Sequence, residues 1–135
     1  TAEKVDYILS QMYHDSPDGL QGNEDCGQMS SWYVFSSLGF YPVNPSNGIY
    51  VFGRPIFDKV ALKLPENKVF EIRTVNNSRE NKYIQSVQLN GRPCDKSYIS
   101  HADIVNGGTL VITMGNKPNK DFGANMDCRP KSAIK

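Results

Sequence analysis

Apolar residues near the start of the chain recur with a helical period. Val5, Ile8, Leu9 and Met12 fall at i, i+3, i+4 and i+7, which predicts a helix over residues 2–13 that buries one side. The period then breaks in the run HDSPDGLQGNEDCGQ, where Pro17, Gly19 and Gly22 interrupt any regular structure and the polar density predicts an exposed loop. It resumes at Met29, Trp32, Tyr33, Phe35, Ser36 and Leu38, predicting a second helix that ends near Gly39, with Pro42 beyond it. From Ile49 the pattern changes to short strand-like runs, over residues 49–52, 59–64, 69–75, 83–89 and 109–114. In the third run Val69, Glu71, Arg73 and Val75 alternate with Phe70, Ile72 and Thr74, as a half-buried strand requires. Asn90-Gly91 marks a tight turn, since both residues tolerate positive φ. Ser100 and Asp103 have the spacing of a capping box around one helical turn, and the tail from Gly115 reads as loose or docked on something outside the chain.

These elements predict an α+β fold, with N-terminal helices followed by an antiparallel β-sheet layer or small β-sandwich. Residues 1–47 form the helical segment, containing a catalytic-type loop at 14–30, and residues 48–135 form the β-rich domain. Two helices with so broad an apolar face need a partner, which predicts self-association through exposed helix faces or packing against further protein.

Composition narrows the function classes. With 135 residues, 39% hydrophobic and 21% charged, the chain has enough material for a core and no low-complexity tract. Fifteen basic residues nearly cancel fourteen acidic ones, so no global field exists to attract nucleic acid or anionic lipid. No apolar run approaches the roughly 20 residues needed to cross a bilayer as a helix. Cys26, Cys94 and Cys128 are odd in number and widely spaced, giving neither a disulfide framework nor a zinc pattern, although one pair has room to bridge.

The stretch Gly22 to Ser30 carries the candidate chemistry, because it sets polar groups at the mouth of the second helix. Asp25 and Gln28 have capping-box spacing, which predicts that Asp25 accepts hydrogen bonds from the first N–H groups of that helix. The same placement keeps a carboxylate ionised, and a fixed ionised carboxylate is what a general base needs to take a proton from water. Asn23 and Glu24 are then candidates to orient that water or a sugar hydroxyl, and Gln28 and His14 are further candidate contacts to substrate.

The blocks GNEDCGQMSSWYVFSSLGFYPV, YVFGRPIFDKV, NKYIQSVQLNG and SHADIVNGGTLVITMGNKPNK, in that order, resemble the C-terminal portion of glycoside hydrolase family 92, the calcium-dependent inverting α-mannosidases. That resemblance implies that the helical segment is the end of an α/α barrel. It implies that the parent protein removes terminal α-linked mannose, of α-1,2 linkage, from mannose-containing glycans. Asp25 then matches the general base, and Asn23 occupies a position often held by an assisting aspartate. Asn23 can orient water but cannot accept its proton, so Asp25 must carry the basicity. Inversion requires an acid about 6.5 to 9.5 Å from the base across the sugar, and neighbouring Glu24 cannot straddle a pyranose in that way. The acid and most of the Ca2+ ligands are expected from elsewhere in a bacterial parent that is periplasmic, outer-membrane-associated or secreted. The chain itself shows no set of carbonyls and carboxylates resembling a complete calcium loop.

Other groups have plainer readings. Trp32, Tyr33 and Phe35 read as core aromatics, His101 as part of the capped turn, and Arg54 and Lys59 as surface charges. Cys26 has no histidine neighbour in sequence that would make it a nucleophile. The competing function is a non-catalytic β-sandwich module for carbohydrate binding or interaction; against it, the polar motif lies on the helical side rather than on the sheet.

Overall fold

The computed structural model describes residues 1–131. Helix α1 spans Ala2–Gln11 and α2 spans Gln28–Leu38. The strands are β1 (Phe40–Asn44), β2 (Ile49–Phe52), β3 (Lys59–Lys63), β4 (Val69–Val75), β5 (Tyr83–Leu89), β6 (Arg92–Pro93), β7 (Tyr98–Ser100) and β8 (Gly108–Gly115), with a short helix α3 (His101–Val105) before the last. They form a three-stranded antiparallel sheet of order β1-β2-β7 and a five-stranded sheet of order β3-β4-β8-β5-β6. The chain is thus α+β, helices first and sheets after, as its periodicity predicts.

The core belongs to the sheets. Alternation carries Phe70 and Ile72 of β4, Val87 of β5, and Leu110, Ile112 and Met114 of β8 inward, where Phe40, Ile99 and Ile104 join them. Each such side chain, fully buried, is worth about 1.5 to 3 kcal/mol of transfer free energy. The Asn90-Gly91 turn forms with φ of 52° and 75°, and the Asn90 side chain also accepts from Thr109 N at 2.8 Å. The capping box is present at α3: Ser100 Oγ accepts from Asp103 N at 3.2 Å, and the Asp103 carboxylate accepts from Ser100 N at 3.1 Å.

Several features depart from the sequence reading. The larger sheet is mixed, because β8 inserts between β4 and β5, parallel to the first and antiparallel to the second. Pro42 reads as a stop in sequence, yet it lies within strand β1; it is tolerated because β1 lies at a sheet edge and its pairing with β2 is irregular between Tyr41 and Asn44. The division at residues 47 and 48 therefore falls inside the β1–β2 hairpin. Helix α1 stops at Gln11, so Tyr13 leaves the helical path and lies against α2. The tail docks on the chain's own body: Gln85 Nε2 donates to Lys117 O and Asn119 Nδ2 to Gln85 O, both at 2.8 Å, while Ser97 N donates to Cys128 O at 2.8 Å.

Helix α1 is tied to the sheets by polar anchors, whereas α2 packs Phe35 and Leu38 against the core. Val5, Ile8, Met12, Trp32 and Phe35 are only half-buried, and Leu9 is the buried apolar residue of α1. Arg54 is not a surface charge. It is 8% exposed, donates to the Asp6 carboxylate of α1 through Nη1, and donates to Ser78 O through Nη2 at 3.1 Å. Lys82 Nζ meets the other Asp6 oxygen at 2.8 Å, and Tyr83 OH donates to Glu3 at 2.7 Å. Lys59 is exposed as expected and pairs with Glu71. Gly39 ends α2 at φ 93°, and a Cβ there would stand 2.9 Å from Pro55, so glycine is required on both counts.

Candidate active site

Residues 14–30 connect α1 to α2 as a chain of tight turns. His14 and Gly19 close the first, with His14 N donating to Gly19 O at 3.0 Å, and a Cβ on Gly19 would collide with His14 O at 1.8 Å. The second turn spans Asp25–Gly27 and is a single 3₁₀ turn, with Gly27 N donating to Glu24 O at 2.8 Å. Within it Cys26 adopts φ 57° and Gly27 φ 82°, two left-handed residues in succession. A left-handed conformation is costly for a residue with a side chain, so the surroundings must hold Cys26 there.

That reversal overturns the expected capping box between Asp25 and Gln28. The N-cap of α2 is Gly27, which offers no side chain, and no side-chain cap bond is made from that position. Glu24 does the work instead: both of its carboxylate oxygens accept from Ser30 N, each at 3.2 Å, at the positive end of the helix. The carboxylate passes over Gly27, whose added Cβ would lie 3.8 Å from Glu24 Oε1. Asp25 therefore stands on the outer side of the turn, exposed, with no hydrogen bond or ion pair among the described residues, while its neighbour is committed to the backbone.

The other residues singled out divide by position. His14 and Asp15 share a cleft of about 470 Å³ with Tyr13, Ser30 and Tyr33. Asn23, Asp25 and Gln28 are exposed and do not line that cleft. The fold thus gathers Glu24, Ser30 and His14 around one end of α2 and leaves Asp25, Asn23 and Gln28 on its open side.

Tyr13 is a site residue that the sequence reading absorbed into the first helix. Its hydroxyl donates to Met29 O at 3.0 Å, and its ring stacks on Trp32 at 5.8 Å between centroids and leans on Tyr33 at 4.8 Å. Trp32 in turn meets Tyr41 at 6.4 Å. Burial, and then the negative charge of Glu24, push the Tyr13 hydroxyl above the ordinary tyrosine range. No sequence signal separates Tyr13 from the helical stripe, because its role follows from where α1 stops. Trp32 and Tyr33 are half-buried members of this cluster, whereas Phe35 packs against the core.

Among the described residues no group of three or more His, Cys, Asp or Glu side chains is placed to hold a metal ion. A Ca2+ ion takes six to eight oxygen ligands, and the side chains of this stretch do not make a cage of that kind. Cys26, Cys94 and Cys128 are all free thiols, and burial raises the Cys94 thiol pKa above its usual range. No helix among the described residues is long and apolar enough to cross a membrane.

Comparison with known proteins bears on this geometry. The glycosyl hydrolase family 92 catalytic domain matches residues 1–116, a stretch that contains the whole 14–30 loop and both sheets. A family GH92 α-mannosidase from Bacteroides thetaiotaomicron superposes with a TM-score of 0.90 at 37% identity, over 98% of this chain and 18% of that one. A GH92 inverting mannosidase from the same organism does so with a TM-score of 0.90 at 36% identity, over 99% and 18%. An uncharacterized secreted glycosidase of Arthroderma benhamiae is 34% identical over 135 residues, covering 98% of this chain and 17% of its own length. The chain therefore spans about a sixth of the length of the relatives it matches. By both sequence and fold, this chain belongs to glycosyl hydrolase family 92.

Proposed function

We propose that this chain is the C-terminal portion of an α-mannosidase that removes terminal mannose from glycans with inversion, and that Asp25 is its general base. The observation that carries the assignment is the division between two adjacent carboxylates: Glu24 is spent on Ser30 N while Asp25 is held outward by a strained turn. A base must be free to accept a proton, and the unengaged Asp25 carboxylate supports that role, its orientation being left to the sugar, the water and the rest of the parent protein. Asn23, two residues earlier, orients the attacking water by hydrogen bonding. Gln28, His14 and the outer face of Glu24 contact the sugar. In this reading α1, α2 and the loop between them are the end of a helical barrel, and the strands from Phe40 onward a β-rich unit against it. The apolar residues left half-buried on α1 and α2 support that reading, because further barrel helices would cover them.

The acid that protonates the leaving oxygen must stand across the sugar from Asp25, about 6.5 to 9.5 Å away, and we assign it to a part of the parent protein outside these residues. Calcium is assigned in the same way: it would supply charge to the sugar hydroxyls in the complete enzyme, with its ligands mainly outside this chain. Mannose-containing glycans are the substrates, and a periplasmic, outer-membrane or secreted location follows the secreted relative.

The test is Asp25→Asn in the full-length enzyme. General-base chemistry is worth about 10²- to 10⁴-fold in rate, so kcat should fall by that amount. Because Asp25 does not cap α2, thermal unfolding should stay within about 0.5 kcal/mol of wild type even for Asp25→Ala. A folded Asp25→Asn enzyme keeping more than roughly a third of wild-type kcat, with chemistry rate-limiting, removes Asp25 from the role and makes Glu24 the next candidate.

A further inference from the structure

A cleft of about 580 Å³ opens where the β6–β7 connection meets the tail, and Cys94 and Cys128 both line it. Both are half-buried free thiols, whereas Cys26 is exposed on the 14–30 loop and does not line the cleft. Cys94 follows β6 and packs against the core. Cys128 ends a single 3₁₀ turn of the tail, Met126–Cys128.

One bend ties the two cysteines together. Lys96 N donates to the Cys94 sulfur, and the next amide along the chain, Ser97 N, donates to Cys128 O at 2.8 Å. Ser97 Oγ donates to the same carbonyl at 3.1 Å. The tail also presses on this bend from a second point, since a Cβ on Gly123 would stand 2.8 Å from Ser97 Cβ. Neighbouring amides therefore grip the thiol of one cysteine and the backbone of the other, and both residues open on the same cleft. A disulfide asks for two α-carbons within about 7 Å, and the shared bend supplies that proximity without moving a core strand.

We propose that Cys94 and Cys128 form a disulfide in an oxidising compartment, and that this bond straps the tail covalently to the β6–β7 connection. Bridges of this kind belong to proteins that fold outside the cytosol, the location proposed above for the parent. The oxidant is a disulfide such as oxidised glutathione. One cysteine thiolate attacks it, breaks its S–S bond and releases one glutathione thiol; the second thiolate attacks the resulting mixed disulfide, forms the Cys94–Cys128 bond and expels the other. The electron pair and both thiol protons pass to the two glutathiones. Burial holds the Cys94 thiol above its usual range, so the first attack falls to Cys128 and Cys94 closes the bridge. The pairing stands independently of the proposed role of Asp25.

The experiment uses the full-length parent enzyme, equilibrated in reduced or oxidised glutathione, quenched with acid, alkylated under denaturing conditions and mapped by mass spectrometry of its peptides. In the oxidising buffer a linked peptide pair carrying Cys94 and Cys128 should replace most of the two separately alkylated peptides, which should return in the reducing buffer. Cys26 should be alkylated in both. Cys94→Ser and Cys128→Ser should each lose the linked pair and leave the remaining partner alkylated, with circular dichroism confirming that each variant is folded. None of these readouts depends on catalysis, so a failure of the Asp25 assignment leaves them unchanged. Separate alkylation of Cys94 and Cys128 in the folded, oxidised enzyme, pairing of either with a different cysteine, or a bridge that forms only after urea has unfolded the protein would overturn the proposal.

Discussion

Removing Asp6 should cost more than removing any surface charge of this chain. Its carboxylate is the shared partner of Arg54, whose side chain is 9% exposed, and of Lys82, whose side chain is 36% exposed. Asp6→Ala leaves the guanidinium in place, still donating to Ser78 O but stripped of its counter-ion. Breaking a fully buried ion pair by deleting one partner costs about 3 to 5 kcal/mol. Asp6 keeps 16% of its side-chain surface in contact with solvent and Lys82 can turn outward, so the expected loss is about 2 to 4 kcal/mol. With roughly 2.1 cal/mol/K of unfolding entropy per residue, a chain of 135 residues should lose about 10 °C in Tm for the middle of that range. Urea and thermal unfolding of wild type, Asp6→Ala, Arg54→Met and the double variant make the assay. The double variant should recover more than half of the loss, because an apolar side chain in place of the orphaned guanidinium carries no desolvation penalty. Lys59→Ala, at an exposed pair with Glu71, is the control and should change little. A loss below about 1 kcal/mol in Asp6→Ala, or a double variant no better than the single, would refute the claim that this cluster anchors α1.

Glu24→Gln keeps an acceptor for Ser30 N while removing the charge, so it should lower the Tyr13 pKa, of which that charge is the second cause after burial; ring-labelled tyrosine spectra across alkaline pH report it, and an unmoved Tyr13 breaks the link. Because the folded Tyr13 pKa is raised, its contribution to stability is full below the ordinary tyrosine value of 10.0 and is lost as pH rises through the folded value; wild type should lose more stability over that alkaline window than Glu24→Gln. The half-buried apolar residues of α1 and α2, together with Tyr7 at 59% and Val34 at 55% exposure, should drive concentration-dependent association of the chain on its own. Light scattering that finds a stable monomer over a wide concentration range would show that these faces need no partner.

Much of this protein is determined by local rules. Two helices, five of the strands, the Asn90-Gly91 turn and the Ser100–Asp103 box follow from periodicity and short-range chemistry, because each depends on neighbours a few residues away. The family, too, was legible in the order of four sequence blocks. What the tertiary structure decided are choices between local solutions of similar energy. Asp25 with Gln28 has the spacing of a cap in sequence, whereas Glu24 and Ser30, six residues apart, do not; the left-handed pair Cys26-Gly27 brings the second pair together and leaves Asp25 without a cap bond. The parallel pairing of β4 with β8 and the edge position that lets Pro42 sit in a strand depend on sheet order, which no local pattern encodes. Arg54 looks like any surface arginine until α1 brings Asp6 to it across 48 residues of chain. A charge is buried or exposed according to the partner the fold delivers, and that partner is a long-range fact.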